Sequence, residues 1–90
     1  MEKGDLVLSK RGKEKNQYFV VKDVDGKFAY LVDGKRLKLT NPKKKSMKHI
    51  QKASKNKFSV ELFLVNNDNV NAAIRKFIKE EKENICQKMM

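Results

Sequence analysis

Two aspartate-glycine pairs, Asp25-Gly26 and Asp33-Gly34, punctuate the first half of this chain and limit what it can fold into. Glycine adopts a positive φ without steric cost, so each pair marks a point where the backbone can reverse within two residues. The segments flanking the first pair, Tyr18-Phe19-Val20-Val21-Lys22-Asp23-Val24 and Lys27-Phe28-Ala29-Tyr30-Leu31-Val32, are rich in the β-branched and aromatic side chains that strands favour. A hairpin is predicted there. After the second pair, Leu37 and Leu39 alternate with Lys38 and Thr40, the pattern of a half-buried strand over residues 35–40, which Asn41-Pro42 ends because proline has no ladder donor. Leu6-Val7-Leu8 supplies an earlier strand and Met47-Lys48-His49-Ile50 a short fifth one. Five short strands joined by tight turns predict a small, strongly bent antiparallel barrel whose closure removes exposed edges.

The second half has a different period. Val70, Ala73, Ile74, Phe77, Ile78 and Ile85 recur at helical spacing, which predicts a helix over residues 69–84, capped by Asp68 or a neighbouring Asn. Its apolar stripe is expected to pack on the barrel, its run 79–83 to be solvated, and the tail from Cys86 to Met90 to fray. The intervening segment 58–65 fits two readings. Phe58, Val60, Leu62 and Leu64 alternate as in a strand, whereas Phe58, Leu62 and Val65 share a helical face; burial is expected in both cases.

Ninety residues are enough for one small domain, with the barrel over 1–52 and the linker, apolar segment and helix over 53–90 in the same compact unit. So small a core leaves little room to sequester a substrate. The single Cys86 and single His49 exclude an internal disulfide and a zinc site built on Cys and His, and Cys86 reads as an incidental thiol. There is no Gly-rich phosphate loop, and Asp23, Asp25 and Asp33 sit where turns and strand ends want them. The expectation is a protein that is not an enzyme, with no cofactor and no small-molecule substrate. No apolar run approaches the roughly 20 residues needed to span a bilayer, and the N-terminus lacks a hydrophobic signal core, so a cytoplasmic protein away from membranes is expected.

The formal net charge is +11, and its placement matters more than its size. Residues 34–60 hold ten basic side chains and no acidic one, while the remainder holds 12 basic and 11 acidic residues. The excess is therefore local. A local cationic block suits a polyanion such as nucleic acid, although lysine-rich surface can also be a solvated loop, and charge alone does not separate RNA from DNA.

The run from Gly4-Asp5 through Leu6-Val7-Leu8-Ser9-Lys10-Arg11-Gly12-Lys13-Glu14-Lys15-Asn16-Gln17 to Tyr18-Phe19-Val20-Val21 resembles a KOW motif: a Gly-Asp opening, an apolar strand, a basic loop and a second apolar strand. With Asn41-Pro42-Lys43-Lys44-Lys45 and Lys48-His49-Ile50-Gln51, residues 1–52 resemble the KOW-domain RNA-binding proteins of Gram-positive bacteria, relatives of archaeal and eukaryotic large-subunit ribosomal proteins. The resemblance implies a mainly β fold, an SH3-like antiparallel barrel with the C-terminal α-helix packed on it. It also implies an RNA partner, often ribosomal RNA, held by the first loop and adjoining strand faces. Where the family has a glycine after the loop lysine this chain has Asn16, the next residue best able to adopt a positive φ.

The expected RNA-binding set is Lys10, Arg11, Lys13, Lys15 and Asn16 in the first loop, with Lys35, Arg36, Lys38, Lys43, Lys44, Lys45, Lys48 and His49 downstream. Lysines neutralise phosphates as point charges, and Arg11 and Arg36 can make bidentate or stacking contacts. His49 equally suits a structural hydrogen bond, and Tyr18 and Tyr30 suit either core packing or base stacking. The competing reading is a protein-interaction module on the same barrel.

Overall fold

The computed structural model describes residues 1–65 and 68–88, with side chains described through residue 85. It is mainly β: one five-stranded antiparallel sheet and one C-terminal helix. The strands are β1 (Asp5–Ser9), β2 (Tyr18–Asp25), β3 (Phe28–Val32), β4 (Lys43–Ser46) and β5 (Ile50–Lys57), in the spatial order β4-β3-β2-β1-β5. The helix α1 spans Asp68–Lys88.

The β2–β3 hairpin forms at the expected turn. Asp25 pairs with Phe28, and Gly26 takes a φ of 59° at the first of the two loop positions. The apolar runs in β1 and β2 are continuous rather than alternating because both faces of the sheet are buried. Leu6, Val20 and Val32 pack with Leu39, Phe58, Val70 and Ile74 on the face that α1 covers. Val7, Phe19, Val21, Ala29 and Leu31 pack with Ile50 on the other face, with Val24, Leu37 and Met47 against them. Ile74 is fully buried, and covering a side chain of that size contributes roughly 1.5–3 kcal/mol. Phe58 links sheet to helix through ring contacts with Phe63 and Phe77 at centroid distances of 5.4 and 5.6 Å.

Irregularities in pairing make the bend. The β2–β3 register shifts by one extra residue of β2 between Val21 and Asp23, and the β1–β5 register by three extra residues of β5 between Lys52 and Lys57, opposite Val7 and Asp5; such insertions bend a strand and increase its twist. The edge strands β4 and β5 are joined by only the 3-10 turn Met47–His49, so the two edges meet at that corner. The sheet is nevertheless not closed, since no pairing joins β4 to β5 along their length.

Three strand assignments change. Residues 35–40 are not a strand but part of a loop that doubles back on Asp33, whose Oδ1 accepts the amides of Lys35 (2.8 Å) and Leu37 (3.0 Å). Leu37 and Leu39 alternate because one reaches each core layer. The strand lies instead at Lys43–Ser46, where pairing with β3 overrides the weak β-propensity of lysine. Residues 47–49 are the corner turn, and β5 extends from Ile50 past residue 52.

The segment 58–65 is neither a strand nor an α-helix but a 3-10 turn over Val60–Leu64, and it is not buried throughout: Phe58 is buried, whereas Leu64 is 87% exposed. Helix α1 carries the expected apolar stripe and runs on through Lys88, so Cys86 lies within it; Met89, Met90 and the capping candidates Asn66 and Asn67 lie outside the described residues. Within the run 79–83, Glu81 is not solvated but 6% exposed, and its carboxylate accepts the Ser54 hydroxyl and the Asn56 amide of β5.

Candidate functional site

The acid-free stretch does not form one free cationic face. Acidic residues from elsewhere in the chain reach it and occupy part of its charge. Lys43 and Lys45 both pair with Glu14 of the first loop, and Lys57 pairs with Glu2. The buried Asp5 carboxylate lies 3.9 Å from the ammonium groups of both Lys52 and Lys57. Among the described residues, Lys35, Arg36, Lys38, Lys48 and Lys55 have no ion pair, and neither do Lys10, Arg11, Lys13 and Lys15. Both edge strands are lysine-rich, which also discourages edge-to-edge association.

Lys45 is the clearest reassignment. Register places it opposite Ala29, on the face that carries the second core layer, and its side chain is only 10% exposed. Its ammonium donates to Ser9 Oγ (2.6 Å) and to the Arg11 carbonyl (2.7 Å). Lys45 thus ties β4 to the first loop. Lys44 faces the other way, 4.5 Å from the Phe28 ring centroid. The ties do bring the first loop against the downstream basic segment, since Lys10 N–H also donates to the His49 carbonyl at 2.8 Å. Lys10, Arg11, Lys13 and Lys48 are exposed around this junction, with His49 half-buried beneath it. Asn16 has a φ of 70°, so it makes the left-handed turn otherwise left to glycine.

Glu14 responds to these cations. The Lys43 hydrogen bond, above all, holds its carboxyl below the ordinary 4.5, helped by its own backbone amide and the charges of Lys43 and Lys45. Glu2 is lowered in the same direction, chiefly by Lys57. A carboxylate with a lower pKa in the folded state stabilises the fold fully above the unfolded value and loses that contribution as pH falls through the folded value. The melting temperature is expected to drop below about pH 4.5, with a shallower drop in Glu14→Gln. Parallel melting curves for the two proteins across the acid range would count against the pair.

A second grouping was not visible in the sequence. The loop after β3 is clamped to α1: Leu39 N–H donates to Asn71 Oδ1 (3.1 Å), Arg75 donates to the Gly34 carbonyl, and Lys22 of β2 donates to the Leu39 carbonyl (2.9 Å). This fixes Lys35 and Arg36 opposite the helix. Between them lies an open groove of about 1170 Å³, with Asn16 and Tyr18 along it and Arg75, Lys76, Lys79 and Lys82 from α1. Lys38 lies farther along the loop, outside this groove. The only hint in the sequence was the 75, 79, 82 spacing beside the apolar stripe, and that stretch reads locally as ordinary solvated helix.

No protein-family model matches this chain, and no curated protein is similar to it. Exposed cations from the first loop, the corner turn, the 33–42 loop and α1 favour a ligand that carries many separated negative charges. No helix among the described residues is long and apolar enough to cross a membrane.

Proposed function

We propose that this protein binds RNA, mainly through its phosphates, as a small KOW-like module on an SH3-like barrel. The observation that carries the reading is that exposed cations without ion pairs lie on segments the fold joins: Lys10, whose backbone bonds to His49 next to Lys48, Arg11 and Lys13 on the same first loop, and Lys35 and Arg36, which line a groove with Asn16 at that loop's end. The left-handed Asn16 supports the KOW-like loop, because it supplies the turn for which the family uses glycine. The curled sheet with its edges meeting at residues 47–49 supports a barrel-like module. Structured RNA, ribosomal RNA included, suits such a surface, since it combines dense phosphates with unpaired loops and bulges.

Lysine-dominated contacts release counterions, so affinity is expected to fall steeply with salt. Neutralising about five phosphates gives a slope near −4.5 for log affinity against log salt on a duplex. Titrating a labelled RNA hairpin over a range of salt measures it, and a slope near zero refutes phosphate binding. Crosslinking in cells followed by sequencing of the bound RNA tests for a ribosomal target.

A further inference from the structure

We propose that the groove between α1 and the 33–42 loop is the path of an unpaired RNA strand, its phosphates held by the helix cations and one base stacked on Tyr18. The proposal rests on the RNA-binding reading and adds a wall to the site, helix α1, and a substrate class, single-stranded segments.

Charge comes first. Six cations line the groove, Lys35 and Arg36 on the loop side and Arg75, Lys76, Lys79 and Lys82 on the helix side, against the carboxylates of Asp33 and Glu83. Asp33 is already engaged by the Lys35 and Leu37 amides. Arg75, Lys79 and Lys82 stand four and three residues apart, a row on one helix face with about 5–6 Å between successive Cβ atoms, suited to a row of phosphates.

Rigidity comes second. The Arg75 to Gly34 and Leu39 to Asn71 bonds fix one wall to the other, and the Glu81 bonds to Ser54 and Asn56 hold the helix to β5 on its other side. A site ordered before the ligand arrives does not lose entropy in forming.

The third observation selects the strand. Tyr18 is half-buried, anchored against the core layer under α1, and lies in the groove with the Lys82 ammonium 5.8 Å from its ring centroid. The Lys82 ammonium stands over the ring, and its long side chain can swing to a phosphate and leave the ring face to a splayed base. A duplex keeps its base faces stacked inside and offers this ring nothing. An acidic peptide would satisfy the cations but not the ring.

The test uses the full chain with a labelled unpaired RNA of about 12 nucleotides, a hairpin RNA with the same number of phosphates, and polyglutamate of equal charge. Lys79→Glu/Lys82→Glu, both exposed positions, is expected to weaken unpaired RNA at least about tenfold, with a smaller effect on the hairpin. Tyr18→Leu, which keeps an apolar side chain on the core, is expected to cost on the order of tenfold on the unpaired strand alone. Arg11→Glu/Lys13→Glu should weaken both RNAs. If only that loop variant loses binding, the groove proposal is overturned while RNA binding stands. Should the unmodified protein bind neither RNA, both readings fail. Polyglutamate binding as tightly as the unpaired strand overturns the stacking role and points to an acidic protein partner. Backbone amide shifts in α1 when the unpaired RNA is added to the unmodified protein check the same path without substitution; an unperturbed α1 overturns it.

Discussion

Gly34→Ala is expected to destabilise this protein by about 3–4 kcal/mol, lowering the melting temperature by on the order of 20 °C for a domain of this size. Gly34 has a φ of 79°, where a side chain costs roughly 1–2 kcal/mol by itself. The larger part is steric. A Cβ at this position would meet the Asn71 carbonyl oxygen at 2.3 Å and Arg75 Cγ at 2.9 Å. The first of these is helix backbone, which cannot swing aside, so loop and helix have to separate. Separation breaks the Arg75 bond to the Gly34 carbonyl and leaves the buried Leu39 amide without Asn71 Oδ1. Gly26→Ala is the control, with a φ of 59° and no atom within 4 Å of its added Cβ; it should cost only the backbone term of about 1–2 kcal/mol. Chemical denaturation of both variants measures the difference, and similar midpoints would falsify the loop-to-helix clamp.

The second large effect is expected at Lys45. Lys45→Glu places a carboxylate where an ammonium, 10% exposed, now donates to Ser9 Oγ and the Arg11 carbonyl and faces Glu14. The new charge would meet an acceptor carbonyl and a like charge in a partly desolvated position, and inverting such a group costs on the order of 3–5 kcal/mol. Lys44→Glu, on the opposite face of the same strand, removes a cation over the Phe28 ring and should cost under about 1 kcal/mol. The prediction separates two roles within one lysine run: Lys45 holds the first loop, whereas Lys44 is free to meet a ligand. Equal stabilities for the two variants, measured by thermal unfolding, would show that Lys45 carries no such tie.

The sequence made some elements legible because their determinants are local. The β2–β3 hairpin depends on a turn glycine between two β-rich runs, and α1 on a repeat contained within itself. The left-handed φ of Asn16 was expected only through the resemblance to the KOW loop, where the family has a glycine. The fourth strand was misplaced because its determinants are not local: Lys43–Ser46 is a strand only by pairing with β3, and Leu39 looks like part of a strand because it reaches a core completed by Val70 and Ile74. The Val60–Leu64 turn is apolar enough to suggest full burial, yet Leu64 points away from both core layers.

Charge shows the same division. The acid-free block of ten basic residues and the identity of the cations were determined by the sequence alone, as were the hairpin and the helix. Which cations are available was decided only by the tertiary structure. Coulomb pairing and hydrogen bonding act through space, so Glu14 reaches Lys43 and Lys45, Glu2 reaches Lys57, and Asn71 and Arg75 of the helix fix the loop that carries Lys35 and Arg36. Those contacts join residues far apart along the chain. Only folding could divide one basic stretch into lysines held by carboxylates and the pair Lys35 and Arg36, which line a groove with four cations of the helix.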